Sequence, residues 1–175
     1  RAIWYVGGVH EICRRMELFV LTWLIFDITG SPFSVGLVLA FNNLPRPIFS
    51  LFAGLVADRF SRRKIIAVAQ IVNTIVAVGL LGLILKDMIL PWHAYVAVCM
   101  QGLTKALDDP ARRTSILDIV GEGRIVNALS VDQISNTLGK MIGPLLGGAL
   151  VAFPYTGYVG AYVTVLLAHI ITLVL

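Results

Sequence analysis

The chain of 175 residues is 58% hydrophobic and 14% charged, and it carries a formal net charge of +4. An average soluble domain is about 45–50% apolar and about 25% charged, so a soluble globule of this composition would expose much apolar surface to water. A disordered chain is excluded as well, because disorder requires low hydrophobicity. The composition therefore predicts a protein whose main solvent is lipid.

Six apolar segments follow one another along the chain, and a helix needs about 20 residues to cross a bilayer. The segments cover residues 2–29, 32–57, 64–85, 90–107, 125–153 and 157–175. Backbone groups in hydrocarbon must be hydrogen-bonded within their own segment, which favours helices. The predicted fold class is thus an all-α integral membrane protein, with one domain of six transmembrane helices over residues 1–175.

The basic residues are distributed unevenly between the two ends of these helices. Nine of the 14 Lys and Arg residues lie at the N-terminal end, in the 58–64 loop or in the 105–125 stretch, whereas Lys86 is alone on the opposite side. Since cytoplasmic loops carry the excess of Lys and Arg, the N-terminal end is expected in the cytoplasm. We expect a multi-pass protein of the cell (inner or plasma) membrane, and the positive charge requires no nucleic-acid partner.

A glycine, an aspartate and a basic cluster connect the second and third segments. A small residue such as Gly54 allows close helix contact. The charge of Asp58 favours the exposed N–H groups where the next helix begins. Bidentate pairs between Arg and a carboxylate can hold neighbouring helices in one state. The residues of this gating motif are Gly54, Asp58, Arg59, Arg62, Arg63 and Lys64.

This motif resembles the loop between helices 2 and 3 of the major facilitator superfamily, with Ser61 where glycine is common. The resemblance implies the N-terminal six-helix half of a twelve-helix transporter, built from two inverted three-helix repeats. The chain begins at Arg1 and stops at Leu175 within apolar runs. We therefore expect a fragment, whose missing partner is the C-terminal six-helix half.

A glycine stripe marks the fifth segment. Glycines four residues apart give a helix a smooth face for close packing, and a proline in their midst permits a bend. The residues of this helix-5 motif are Gly139, Gly143, Pro144, Gly147 and Gly148. The motif is similar to the glycine–proline motif in helix 5 of the superfamily's exporters and antiporters, which implies efflux.

The polar stretch between the fourth and fifth segments carries a third motif. Asp109 is expected to cap a short helix that begins at Pro110, and Arg112 and Arg113 follow. This region resembles the helix 4–5 region of the drug and siderophore exporter branch, which includes the enterobactin exporters.

Charged and polar residues within the spans are candidates for cavity lining and proton coupling, because charge inside a membrane is costly. They are Glu11, Arg14, Arg15, Glu17, Arg46, Asp132, Asn136 and Lys140. On the first helix, Glu11 can pair with Arg14 or Arg15, and Arg14 can pair with Glu17. Two interpretations stay open for this cluster: a proton- or substrate-binding site, or mutual neutralisation at a helix contact.

Two further sets of polar residues also leave alternatives open. Asp132, Asn136 and Lys140 are four residues apart and form one stripe, which either lines a cavity or holds helices together. Arg46, between two prolines, either faces an anionic substrate or pairs with a carboxylate. Asp27 and Asp87 are expected to be solvated.

Conventional enzyme chemistry has no support in the sequence. A nucleophile elbow and a phosphate-binding loop are absent, and the spacing of Cys and His indicates no metal and no cofactor. The resemblance implies secondary active export of a small drug- or siderophore-like molecule by alternating access, coupled to protons through Glu11, Glu17 or Asp132. The alternatives are a non-transporting membrane scaffold or receptor and a lipid flippase of the same superfamily.

Overall fold

The computed structural model describes residues 2–49, 61–120, 125–153 and 157–174, which are helical apart from short turns. The helices are α1 (Ala2–Thr29), α2 (Pro32–Asn43), α3 (Arg62–Leu85), α4 (Pro91–Val120), α5 (Ile125–Ala152) and α6 (Gly157–Val174). Residues 45–49 are also helical and follow a turn at Leu44. The second predicted segment is thus interrupted where two prolines fall, since Pro45 and Pro47 lack the N–H groups that a continuous helix needs.

The fourth helix is much longer than the sequence predicts. We expected it to end at residue 107 and a new helix to begin at Pro110, but α4 continues through Pro110 to Val120. That prediction was wrong because the Asp109 carboxylate is engaged elsewhere, in ion pairs with Arg14 and Arg46. Proline costs the helix one hydrogen bond, and the helix carries on past that loss.

The short connections follow the rules for helix ends. Gly30 has φ of +60°, and its N–H donates to the Phe26 carbonyl at 2.8 Å, which closes α1. Pro32 then starts α2 at a position where a missing N–H is harmless. The glycine ends α1 within one residue, so the connection to α2 is short. The two helices pack against each other in the bundle.

Helix α1 lies at the centre of the bundle. It packs against α2, α4, α5 and α6, while α3 packs against α4 and α6. Val20, Leu21 and Ile25 of α1 have no exposed surface. They share one core with Tyr162 and Val165 of α6 and with apolar residues of α2, α3 and α4. The central position of α1 brings its side chains within reach of most other helices.

The glycine stripe of α5 packs directly on α1. A Cβ atom added to Gly143 would lie 2.6 Å from Arg15 Cβ and 2.9 Å from the Ile12 carbonyl oxygen. At Gly139 it would lie 2.8 Å from Glu11 Cγ, and at Gly147 it would lie 3.2 Å from Met16 Cγ. Real Cβ atoms essentially never approach other atoms as closely as at Gly139 and Gly143, and the contact at Gly147 is tight, so the glycines allow the close approach of the two helices.

The outer surface of the bundle is apolar. Large hydrophobic side chains are exposed on each helix, and examples are Trp23, Phe33, Ile75, Trp92, Leu145 and Leu167. Exposed apolar side chains in this number are typical of contact with lipid or with another protein. Within the described residues, one helical stretch, Lys64–Leu85, is both long and apolar enough by composition to cross a membrane, and Gly157–Thr172 is a shorter apolar helix.

Substitution of Gly143 by alanine is expected to destabilise the protein. The new methyl group meets the backbone of α1, and overpacking of this kind costs about 1–3 kcal/mol. The full-length Gly143→Ala variant should therefore unfold at a lower temperature than the wild type in a thermal melt.

Gly79→Ala is the matched control, because a Cβ at this α3 position has nothing within 4 Å. This variant should melt no lower than the wild type. Equal melting temperatures for Gly143→Ala and the wild type would mean that α1 and α5 are not in close contact.

Candidate functional site

A polar cavity of about 180 Å³ lies between α1, α4, α5 and the helical segment 45–49. Its ionisable lining includes both signs of charge. The charged lining residues are Glu11, Arg14, Arg15, Arg46, Lys105, Asp108, Asp109, Asp132 and Lys140. The structure thus brings together residues that the sequence singles out on four separate segments.

Glu11 is the centre of the charge network on α1. It is buried, with 5% of its surface exposed. Its Oε1 accepts a hydrogen bond from Arg15 Nε at 2.8 Å, and its Oε2 pairs with Arg14. Both partners that the helical spacing predicts are therefore engaged together. Because an arginine contacts each carboxylate oxygen, the negative charge of Glu11 is compensated within α1.

Asp109 connects the α1 charges to two other segments. Its Oδ1 lies 3.5 Å from Arg14 Nη1, and its Oδ2 lies 3.2 Å from Arg46 Nη2. Arg46 was expected either to face an anionic substrate or to pair with a carboxylate, and in the structure it pairs with the Asp109 carboxylate. One acidic residue of α4 thus holds α1 and the 45–49 segment together.

The polar stripe of α5 forms one wall of the cavity. Asp132, Asn136 and Lys140 all line it. Asn136 Oδ1 accepts a hydrogen bond from Arg15 Nη2 at 3.3 Å, so it also connects α5 to α1. Among the described residues, Asp132 and Lys140 form no ion pair. The stripe therefore presents one acid and one base to the cavity.

Glu17 does not belong to this cavity, and its expected pairing with Arg14 was wrong. It is 1% exposed, and its Oε2 lies 3.3 Å from His169 Nε2 on α6. Helical spacing would allow either partner, but the Arg14 guanidinium is engaged by Glu11 and Asp109. Arg14 turns toward Asp109 on α4 instead.

Sequence reasoning also missed the partners of His169. Gln70 of α3 donates from Nε2 to His169 Nδ1 at 3.0 Å, and both side chains are buried. A polar residue within an apolar helix is the signal that could have drawn attention to each of them. Nothing local indicates that they meet, since they lie on different helices.

Three other contacts were not anticipated. His10 Nε2 lies 3.9 Å from Asp108 Oδ2 at the cavity. A Cβ at Gly102 would lie 2.4 Å from the Asn42 carbonyl oxygen, so α4 and α2 touch there through their backbones. Asp27 is exposed, as expected, and also accepts a hydrogen bond from the Tyr158 hydroxyl, which connects α1 to α6.

Most of the gating motif and part of the α4 motif cannot be placed in the site. Gly54, Asp58 and Arg59 lie outside the described residues, as do the side chains of Arg62, Arg63, Arg112 and Arg113. Lys64 is exposed at the start of α3. Where the chain is described, no group of His, Cys, Asp and Glu is arranged to hold a metal ion.

One protein-family model matches the whole chain, and individual relatives match most of it. The model of the major facilitator family described as transmembrane secretion effectors matches residues 1–175. The uncharacterised MFS-type transporter YfiS of Bacillus subtilis is 30% identical over 135 residues, which are 77% of this chain and 31% of that protein.

Two exporters are also similar to the chain. The enterobactin exporter EntS of Citrobacter koseri is 28% identical over 71% of this chain and 30% of its own length. The multidrug resistance protein MdtH of Yersinia enterocolitica is 26% identical over 77% of this chain and 33% of its own length. The chain matches about a third of the length of each relative.

The helical bundle with its charged cavity and the family model that matches residues 1–175 agree on the class of the protein. The chain belongs to the transmembrane secretion effectors of the major facilitator superfamily, which are membrane transporters and not enzymes.

Proposed function

We propose that the full-length protein exports a small organic molecule, drug- or siderophore-like, by alternating access in exchange for protons. The observation that carries the proposal is the polar cavity enclosed by α1, α4 and α5. A cavity lined by charges inside an apolar bundle is costly unless a polar ligand or an ion uses it. The relatives named as an enterobactin exporter and a multidrug resistance protein support the direction of transport.

In this proposal all six helices cross the membrane, with the N-terminal end in the cytoplasm. The exposed apolar side chains on each helix support the spans, and the excess of Lys and Arg in the 58–64 and 105–125 regions supports the orientation. Most cavity residues lie in the first half of α1 and of α5 and in the second half of α4, while Lys105 and Lys140 lie near the middle of α4 and α5. The cavity is then nearer the cytoplasmic face, where an exporter takes up its substrate.

A second half of the transporter is part of the proposal. The aligned region is about a third of each relative, which leaves room for six more helices. The cavity described above would then be one wall of a larger central site. Two halves that rock about a central site alternately expose it to each side of the membrane.

The cavity charges divide into two roles. Glu11, Arg14 and Asp109 are engaged with one another and hold the helices together. Asp132 and Lys140 on α5 have no such ion partner among the described residues. They are the groups available to a substrate or a proton, and among the carboxylates that line the cavity Asp132 is the coupling residue.

Export itself is tested in everted membrane vesicles that contain the full-length protein. Enterobactin serves as the anionic probe and ethidium as the cationic probe. An imposed proton gradient should drive accumulation of at least one of them, and substrate addition should release protons. A membrane scaffold would move neither probe, and a flippase would move labelled phospholipid instead.

Lys140→Gln is expected to weaken export of the anionic probe selectively. Loss of one charge-assisted contact costs about 1.5–3 kcal/mol, which corresponds to a rise of at least about tenfold in the apparent KM for enterobactin. Asp132→Asn should instead reduce proton release. Initial rates of uptake into vesicles measure both effects.

The control is Lys86→Gln, because Lys86 lies in the exposed turn after α3, away from the cavity. Its kinetics should equal those of the wild type. If Lys140→Gln and Lys86→Gln behave alike with both probes, the α5 stripe does not contact substrate.

The gating motif gives a separate prediction. If Asp58 pairs with the neighbouring arginines in one of the two states, Asp58→Asn removes the charge that stabilises that state. Transport should then be lost while the amount of protein in the membrane stays normal, as measured by uptake assays and membrane immunoblots. Wild-type rates in Asp58→Asn would rule out this latch.

A further inference from the structure

A narrow cleft extends from the polar cavity towards the middle of the bundle, between α1, α2 and α4. Its volume is about 10 Å³, which is enough for one water-sized group. The described residues that line it are Arg14, Arg15, Leu18, Asn42, Gln101 and Lys105. The two arginines and the lysine also line the cavity. The cleft can therefore take one atom of a ligand whose larger part lies in the cavity.

Two of the residues at this cleft have buried polar atoms without partners. Gln101 is 4% exposed, and neither its Oε1 nor its Nε2 has a hydrogen-bond partner among the described residues. Arg14 Nε is buried and unpartnered as well. A buried polar group that lacks a partner is destabilising, and the large majority of such groups in proteins are hydrogen-bonded. Two N–H donors thus lack an acceptor at the same place.

The charge around the cleft is positive. All the charged residues of its described lining are cationic. Lys105 forms no ion pair and no hydrogen bond among the described residues, and Arg14 and Arg15 are near enough to repel its ammonium group. Glu11 and Asp109 attract it, but both are paired with arginines. An acceptor that carries negative charge is therefore favoured here over a neutral or cationic group.

The depth of the cleft in the membrane supports a role in ligand binding. Gln101 follows Pro91, the first residue of α4, by ten positions. This separation corresponds to a rise of about 15 Å along the helix, which is about half the hydrocarbon thickness of a bilayer. If α4 crosses the membrane as proposed above, the Lys105 side chain is an unpaired cation near the midplane. Charge at this depth is costly and is typical of substrate and ion pathways.

We infer that this cleft is an anion subsite, which takes one oxygen atom of a carboxylate or phenolate group. Arg14 Nε, Gln101 Nε2 and Lys105 Nζ are the donors available to that oxygen. Lys105 is one helical turn from Gln101, and its ammonium has three N–H donors, so it can serve Gln101 Oε1 as well as the anion. Binding of the anion is a property of the cleft itself; its part in transport rests on the proposed function.

The subsite narrows the substrate class to organic anions. A cation of the same shape would meet three positive groups and no carboxylate in the described lining of the cleft. Like charges brought together in a desolvated site repel strongly. The polar cavity alone would not make this distinction, because its described lining contains both signs of charge.

The selectivity is tested by fluorine NMR of the full-length protein in nanodiscs of zwitterionic lipid. The probes are 4-fluorobenzoate, 4-fluorobenzamide and 4-fluorobenzamidine, which have nearly the same shape and are anionic, neutral and cationic. Binding broadens the fluorine line of a probe, and titration gives its Kd. The Kd of 4-fluorobenzoate should be lower than those of the other two by at least about tenfold. Equal binding of the benzoate and the amidine overturns the inference.

Two variants locate the bound anion. Lys105→Gln removes a charged donor and should raise the Kd of 4-fluorobenzoate by about tenfold or more, whereas Gln101→Leu removes a neutral donor and should raise it by about fivefold. The control is Lys86→Gln, in the exposed turn after α3, which should bind like the wild type. If binding is lost in Lys140→Gln and unchanged in Lys105→Gln, the anion lies on the α5 stripe and the subsite is refuted.

A thermal melt without ligand separates binding from a structural role of Gln101. Because its side-chain amide has no described partner, Gln101→Leu should melt no lower than the wild type. A cleft that holds only a fixed water molecule gives the opposite result. Gln101→Leu then melts at a lower temperature and binds 4-fluorobenzoate like the wild type, which excludes the subsite.

The same proteins distinguish this inference from the proposed function. If 4-fluorobenzoate binding depends on Lys105 and Gln101 but the vesicles export neither enterobactin nor ethidium, the anion subsite stands and the export proposal fails. If enterobactin is exported and Lys105→Gln changes neither its apparent KM nor the binding of 4-fluorobenzoate, export stands and the subsite is refuted.

Discussion

The close packing of α1 against the glycine face of α5 is the contact on which the rest of the bundle depends. A Cβ at Gly143 would lie 2.6 Å from Arg15 Cβ and 2.9 Å from the Ile12 carbonyl oxygen, so a side chain at this position has no room between the two helices. That distance places Arg15 Nη2 3.3 Å from Asn136 Oδ1. The same helix contact therefore sets the packing of the core and the position of the charged cavity wall, and a larger residue in the stripe would disturb both.

The central helix presents different chemistry on two faces. Glu11 with its two arginines points toward α4 and α5, where carboxylates and amides are available as partners. His10, Cys13 and Glu17 follow a neighbouring face and meet α6. Since one helix carries both sets, a shift of α1 relative to α5 or α6 changes the surroundings of the cavity charges and of the buried carboxyl together. Such a rigid element is a physical means by which a change at one site can alter the contacts at another.

The interactions that the sequence could predict are the local ones. The pairing of Glu11 with Arg14 and Arg15 follows from helical spacing, and the smooth face of α5 follows from the spacing of its glycines. The pairing of Glu17 with His169 joins residues 152 positions apart, so it depends on how α1 and α6 are arranged. The prediction of a new helix at Pro110 was wrong because it relied on a local rule, that Asp109 caps a helix. In the structure, Asp109 forms ion pairs with Arg14 and Arg46 on other segments.

The energetic cost of buried charge explains why these sites differ in character. At the cavity, Arg14 and Glu11 are paired, so each buried charge has an opposite charge beside it. Asp132 and Lys140 lack that compensation but lie on the accessible part of the wall, where solvent supports their charges. Glu17 is 1% exposed, with His169 beside its Oε2 and no hydrogen-bond partner for its Oε1 among the described residues. The depth of each group in the bundle, more than its residue type, therefore decides whether it serves as a structural contact or is open to a ligand.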